Sequence, residues 1–241
     1  MEGLKQETIS PKRQFQQFLL QQISLPETER SDEFNKYVTE KALANKEVAD
    51  QDETAEELKE KTFQRYLKGL DLTEEEMRSK KILDVGSGKE ADFIQAVLSK
   101  GITGEAYGMD IEMDDTLVGK DPEHYFKTDF LNPPNVSNID CVVSVGALSL
   151  DTNAEYIEDI FSRLAQLSSD TSELRIYPLR RAPEGSELMG VIESRKKWEA
   201  KLEEMKQKFG IEYEFRPIDI RVSGNNKDLW LDETLIIKKN S

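Results

Sequence analysis

The sequence of 241 residues is poor in the side chains that bind metals and cross-link chains. Its one cysteine, Cys141, rules out an intrachain disulfide, and with one histidine, His124, it also excludes a zinc site of the Cys/His type. No metal is expected. No apolar run approaches the ~20 residues that a membrane-spanning helix needs, and the opening Met-Glu-Gly-Leu-Lys-Gln-Glu lacks the basic and apolar regions of a secretory leader. The expectation is a cytoplasmic protein with no membrane attachment. Positive charge is scarce too: 33 Lys and Arg stand against 48 Asp and Glu, a net charge of -15 that repels a phosphate backbone and disfavours nucleic acid as a partner. The tight basic clusters Arg180-Arg181 and Arg195-Lys196-Lys197 read as solvated faces. What is present, 37% hydrophobic residues, suffices for a core beneath that charged surface.

Residues 1–70 read as a helical extension or cap on a main domain spanning 71–241. Ser10-Pro11 offers an N-cap and a first-turn proline, and Phe15, Phe18, Leu19 and Ile23 follow on one helical face. A second helix carries Phe34, Tyr37 and Val38, and a third carries Leu58, Phe63, Tyr66, Leu67 and Leu70. The extension reads either as a lid that recognises a substrate or as packing that shields one side of a sheet. From Lys80 strands alternate with helices, the pattern of a doubly wound, mostly parallel α/β sheet. The strands are expected at Ile82–Val85, Glu105–Met109, Tyr125–Thr128, Asp140–Val145, Leu174–Leu179, Ile211–Phe215 and Thr234–Lys238. The last two follow the final helix with only the Ser223-Gly224-Asn225-Asn226 turn between them, so this seven-stranded sheet ends in an antiparallel hairpin.

In such a sheet, ligands lie outside the carboxyl ends of the strands, and glycines and acids stand there. Gly86 and Gly88 permit a tight turn and close approach before a helix whose N-terminus favours anions. Asp84 precedes them, Asp110 ends the second strand, and Asp129 follows the third. Together, Ile82-Leu83-Asp84-Val85-Gly86-Ser87-Gly88 resembles the first motif of class I S-adenosylmethionine-dependent methyltransferases, and the resemblance extends in strand order from about Lys80 to Lys239. It implies a Rossmann-like methyltransferase fold with S-adenosylmethionine as the cofactor and an acceptor, expected to be a small molecule, that the sequence leaves unidentified. It also implies cofactor contacts: Asp84, Gly86, Ser87 and Gly88 around the methionyl part, Asp110 on the ribose hydroxyls with Ile111 beside the adenine, Asp129 with Phe130 at the adenine amino group, and Ser144 near the methionyl end.

Glu90 departs from the family pattern, standing where a third glycine is usual. Either the loop is reshaped, with Lys89 or the methionyl ammonium balancing the charge, or the chain is a catalytically silent methyltransferase-like interaction or regulatory protein. If the side chain intrudes, restoring glycine should tighten binding. A nicotinamide site fits poorly, because the glycine motif is incomplete and opens on an acid. Asn132-Pro133-Pro134-Asn135 lies before the fourth strand and reads as a plain loop rather than an amine-holding motif. His124 starts the third strand, roughly 17 Å from the cofactor end at ~3.3 Å per residue, and Cys141 starts the fourth. Should the acceptor need a base, Tyr177 and Asp151 are the candidates, although Asp151 equally suits a helix cap. Arg180 and Arg181, after the fifth strand, could meet an acidic acceptor.

Overall fold

In the computed structural model, residues 10–47, 54–149, 156–223 and 228–239 are described. Local capping chemistry starts the early helices. The Ser10 hydroxyl accepts from the Arg13 amide at 3.4 Å and Pro11 occupies the first turn of α1 (Pro11–Ile23). Asp32 and Glu33 open α2 (Asp32–Glu47). Reciprocal capping boxes, Thr54 with Glu57 and Thr73 with Glu76, start α3 (Ala55–Gly69) and the one-turn α4 (Glu74–Met77).

The sheet comprises β1 (Ile82–Val85), β2 (Ala106–Asp110), β3 (Tyr125–Lys127), β4 (Ile139–Val145), β5 (Ser168–Arg181), β6 (Ile211–Val222) and β7 (Leu229–Lys239), in the order β3-β2-β1-β4-β5-β7-β6. The strands up to β5 are parallel, and β7 runs antiparallel between β5 and β6. This is the doubly wound sheet with a terminal hairpin that the sequence leads one to expect. Its helices are α5 (Asp92–Ser99), α6 (Asp115–Lys120), α7 (Ile157–Leu167) and α8 (Met189–Phe209). The strand alternation divides two cores. Leu83, Val85, Leu174 and Leu235 pack under α7 and α8 with Trp198 and Leu202, whereas Ile82, Ala106 and Val143 pack under α3 and α5 with Phe63, Tyr66 and Phe93. Strand order reverses between β1 and β4, and this is the switch point where a ligand crevice belongs.

The hairpin side overruns the parallel part. Tyr177 is level with Val145, the last residue of β4, yet β5 continues to Arg181 alongside Leu231 and Asp232 of β7. The extra length forms a ledge, and α1 and α2 dock on it through Leu19, Ile23 and Phe34, which pack on Ile220 and Leu231. Two buried carboxylates fasten this docking. Asp219 of β6 receives the Tyr37 hydroxyl at 2.6 Å and Lys41 at 2.7 Å from α2, together with Lys68 from α3. Asp71 pairs with Lys12 of α1 and, at 2.8 Å, with Arg216 of β6. The guanidinium of Arg175 donates to the Leu70 and Asp71 carbonyls at 2.9 and 2.6 Å, which ties the end of α3 to β5. Among the described residues, no helix is long and apolar enough to cross a membrane.

Candidate functional site

The loops that leave β1, β2, β3 and β4 enclose a cleft of about 380 Å³ at the carboxyl edge of the sheet. β1 passes into a turn through Gly86 (φ +75°) and Gly88 (φ +77°), both in the left-handed region. The backbone at Gly86 also needs the missing side chain, since a Cβ there would stand 2.1 Å from that of Ala147. The turn prolongs the β1–β2 ladder, as the amides of Gly86 and Ser87 both donate to the Met109 carbonyl, at 2.9 and 3.1 Å. It is further stitched to the loop after β2, because the Asp114 amide donates to the Lys89 carbonyl at 3.1 Å.

Asp110 sits at the centre of these loops. One carboxylate oxygen accepts from the Gly88 amide at 2.9 Å and the other from the Glu112 amide at 2.7 Å, so its orientation is fixed from both sides. Each oxygen keeps a lone pair, which leaves an acceptor-only group at the cleft wall. Beside it Ile111 is 66% exposed, an apolar side chain held in solvent at the cleft mouth. Across the cleft Asp129 accepts from the Leu131 amide at 2.8 Å and the Asn132 amide at 2.9 Å. The Asn132 side chain also donates to it, at 3.0 Å. This assigns Asn132 a part in the loop: it orients Asp129. Phe130, Ala147 and Leu148 give the cleft its apolar lining.

Asp84 lies behind the cleft. It is fully buried, neither carboxyl oxygen has a hydrogen-bond partner, and the nearby Ser87 hydroxyl is likewise buried without one. Gly108 leaves room for that hydroxyl, 3.1 Å from where a Cβ would be. Burial pushes the Asp84 carboxyl up to about 8; the Tyr66 hydroxyl of α3 opposes this, and the Asp110 charge adds to it. Tyr66 thus faces Asp84 closely enough to favour its charged form, but not in hydrogen-bonding geometry. The phenol itself is raised by burial and by the Asp84 charge.

The residues singled out in the sequence divide by position. Gly86, Asp110, Ile111, Asp129 and Phe130 line the cleft. Gly88 is next to it through Asp110, whereas Asp84 and Ser87 are buried behind the wall. Ser144 needs correction: it is wholly buried and its hydroxyl accepts from the Leu148 amide at 3.1 Å, so it shapes the wall instead of meeting a ligand. Tyr177 is also misplaced as a base. Its ring packs where a Cβ on Gly69 would stand 2.6 Å away, its hydroxyl donates to Asp232 at 3.2 Å, and burial followed by the Asp232 charge raises it to about 12. Arg181 is committed to buried Glu233 at 3.1 Å, a carboxylate it shares with Arg195, and Arg180 lies 5.3 Å over the Trp230 ring. Neither arginine faces the cleft. Asp151 lies outside the described residues.

His124, immediately before β3, is held by Asp121 at 2.9 Å and by the Gly104 carbonyl at 3.2 Å. Although burial lowers its pKa, these partners raise it on balance. Cys141 is buried, and burial, with the charge of Glu173, raises its thiol to about 12. Among the described residues, no group of three or more His, Cys, Asp or Glu is arranged to hold a metal ion. Sequence reasoning overlooked Glu112, Thr128 and Leu148 of the lining, and Tyr66 behind it. The position of each depends on side-chain direction in loops or on contact between distant segments, for which no periodic signal exists.

Glu90 adopts an ordinary backbone conformation; the left-handed residue at the start of α5 is Ala91, at φ 47°. The Glu90 carbonyl accepts from the Gln95 side chain at 2.5 Å, and the residue itself is exposed. The loop is therefore built without need of a third glycine. Glu90→Gly should change cofactor affinity less than about threefold while costing up to ~1 kcal/mol of stability through added backbone freedom. Titration calorimetry and urea unfolding check this, and a tenfold gain in affinity would revive the intruding side chain.

No protein-family profile matches the sequence, and no curated protein is found to match it. Solved structures do share similarity in the course of the chain. Magnesium protoporphyrin IX methyltransferase from Synechocystis PCC 6803, with bound SAH, is 15% identical with a TM-score of 0.43, over 68% of this chain and 76% of that one. The plantazolicin methyltransferase BpumL, in complex with SAH, is 15% identical with a TM-score of 0.46, over 87% of this chain and 98% of that one. LepI in complex with SAM is 12% identical with a TM-score of 0.46, over 67% of this chain and 43% of that one.

Proposed function

We propose that the cleft binds S-adenosylmethionine and that the protein transfers its methyl group to a small-molecule acceptor. The observation that carries this reading is convergence. Gly86, Asp110 with Ile111, and Asp129 with Phe130 belong to separate stretches of the motif pattern, and all line one cleft at the sheet's switch point. The residues suit such a group. Asp110 offers acceptor oxygens to a pair of ribose hydroxyls, Ile111 and Leu148 offer apolar surface to a purine, and Asp129 offers an acceptor to an amino group. The unpartnered carboxyl of Asp84 and hydroxyl of Ser87, beside the Gly86–Gly88 turn, favour a cationic amino group nearby.

When bound, the sulfonium supplies an activated methyl group with a good leaving group. The chain's own part is to hold that group and the acceptor in line and to keep water out, and positioning of this kind contributes much of a barrier reduction. The products are the methylated acceptor and S-adenosylhomocysteine.

S-adenosylhomocysteine should bind with micromolar or better affinity and raise the melting temperature through linkage. Asp110→Asn replaces an acceptor by a donor in a group worth about 1.5–3 kcal/mol per charged bond, so affinity should fall roughly 10- to 100-fold. His124→Gln, remote from the cleft, serves as the control and should leave affinity unchanged. Calorimetry decides: if Asp110→Asn binds like the parent while His124→Gln does not, the cofactor lies elsewhere. Absence of any thermal shift at millimolar ligand would overturn the reading outright.

A further inference from the structure

Among the buried acids of the described residues, Asp84 is the one whose carboxyl oxygens have no hydrogen-bond partner. The titratable groups that act on it are Tyr66 of α3 and Asp110 of β2, and Arg65 of α3 and Asp92 of α5 act in turn on Tyr66. β4 places Val143 alongside, and β2 places Gly108. Among the described residues no Lys or Arg side chain makes an ion pair with Asp84, and neither of its oxygens meets a donor. A bare carboxylate in such a place is strongly disfavoured, so the acid form is the one that fits these buried, unpartnered surroundings. The Tyr66 ring is only 5% exposed and stacks on Phe93 at 4.4 Å, which keeps its hydroxyl facing the carboxyl.

We infer that Asp84 and Tyr66 form a proton-linked pair that couples the cofactor cleft to helix α3. Asp84 carries its proton while the cleft is empty. As the cationic amino group of the ligand settles against the Ser87–Gly88 turn, the carboxyl O–H ionises, its proton leaves to solvent, and the Tyr66 hydroxyl donates a hydrogen bond to the new carboxylate. No bond to carbon changes and no electrons are transferred; ligand uptake and release of one proton are the whole of the step. Tyr66 is thus a positioning residue, acting on the cofactor through Asp84. The inference rests on the cofactor reading above and deepens it, since it makes affinity rise with pH and gives the N-terminal segment a direct hold on the site.

The test has a ligand-free arm and a ligand arm. Without ligand, Asp84 binds a proton in the folded chain and not in the unfolded chain between about pH 5 and 7, so wild-type stability should fall with rising pH relative to Asp84→Asn. The unfolding constant of wild type over that of the variant should rise about tenfold per pH unit. A constant ratio overturns the inference whatever the ligand does. In the second arm, calorimetry of S-adenosylhomocysteine at pH 7 in phosphate and in Tris should show release of about one proton per ligand from wild type and none from Asp84→Asn. Tyr66→Phe should still release the proton but move the rise of affinity to higher pH, which loss of packing alone would not do. No buffer-dependent heat, or an unmoved profile in Tyr66→Phe, overturns the pair. If the ligand-free arm behaves as expected and S-adenosylhomocysteine does not bind, the cofactor reading is at fault and this inference falls with it.

Discussion

Gly86→Ala is expected to lower S-adenosylhomocysteine affinity on the order of 100-fold and to lose about 3 kcal/mol of stability. Two costs add. An L side chain at φ +75° forfeits about 1–2 kcal/mol in the left-handed region. The new Cβ would also stand 2.1 Å from the Cβ of Ala147, so the turn after β4, which is one wall of the cleft, must move away. Gly88→Ala separates the two contributions. Its φ of +77° carries the same torsional cost, yet among the described residues nothing beyond its own chain neighbours lies within 4 Å of its Cβ position. Urea unfolding of both variants should therefore place Gly86→Ala below Gly88→Ala by about 1–2 kcal/mol, the overpacking share. Equal stabilities would show that the Ala147 turn yields freely, and the expected affinity loss would no longer follow.

Asp219→Ala should cost about 2–3 kcal/mol at neutral pH, less than the 3–5 kcal/mol typical of a broken buried pair because Lys68 is 58% exposed and readily hydrated. Burial alone would raise the Asp219 carboxyl, and Lys41, Lys68 and the Tyr37 hydroxyl more than reverse this, leaving it below its ordinary value. A depressed folded-state pKa means that this stability is complete above the unfolded value near ~3.9 and is lost as pH falls below it. Wild type should lose stability steeply below about pH 4, and the variant less so, since its share is already gone. Hydrogen exchange gives the local readout: amides of α1 and α2 should lose protection in Asp219→Ala before those of β1 and β4 do. Uniform loss across the chain would show that Asp219 fastens the whole sheet instead of the docked helices.

The parts of the site that were readable beforehand were those where chemistry and strand ends coincide. Gly86, Asp110 and Asp129 are marked by residue type at the end of an apolar run, and the period of the run locates them. Ser144 misled because it also ends an apolar run, but strand alternation turns its hydroxyl inward, and only the close turn to Leu148 reveals that. The ledge escaped for a related reason. Beyond Leu179, Arg180 and Arg181 of β5 and Asp232 and Glu233 of β7 interrupt the apolar pattern by which a strand is recognised, whereas Ile218, Ile220 and Val222 of β6 do alternate with polar residues, a signal that the expected strand bounds pass over. Arg181 and Glu233 are far apart in sequence, as are Tyr66 and Asp84, and no local pattern announces that such groups will meet.

The ledge also sets an order of events during synthesis. Tyr37 and Asp219 are 182 residues apart, and the apolar face of α1 and α2 finds Ile220 and Leu231 only after the hairpin has emerged. At roughly 5–20 residues per second, the two helices wait on the order of 10–40 s for their partner. During synthesis their contacts form only after the parallel strands have emerged; if they also form late in refolding, destabilising changes in α1 or α2 should speed unfolding and leave the folding rate nearly untouched.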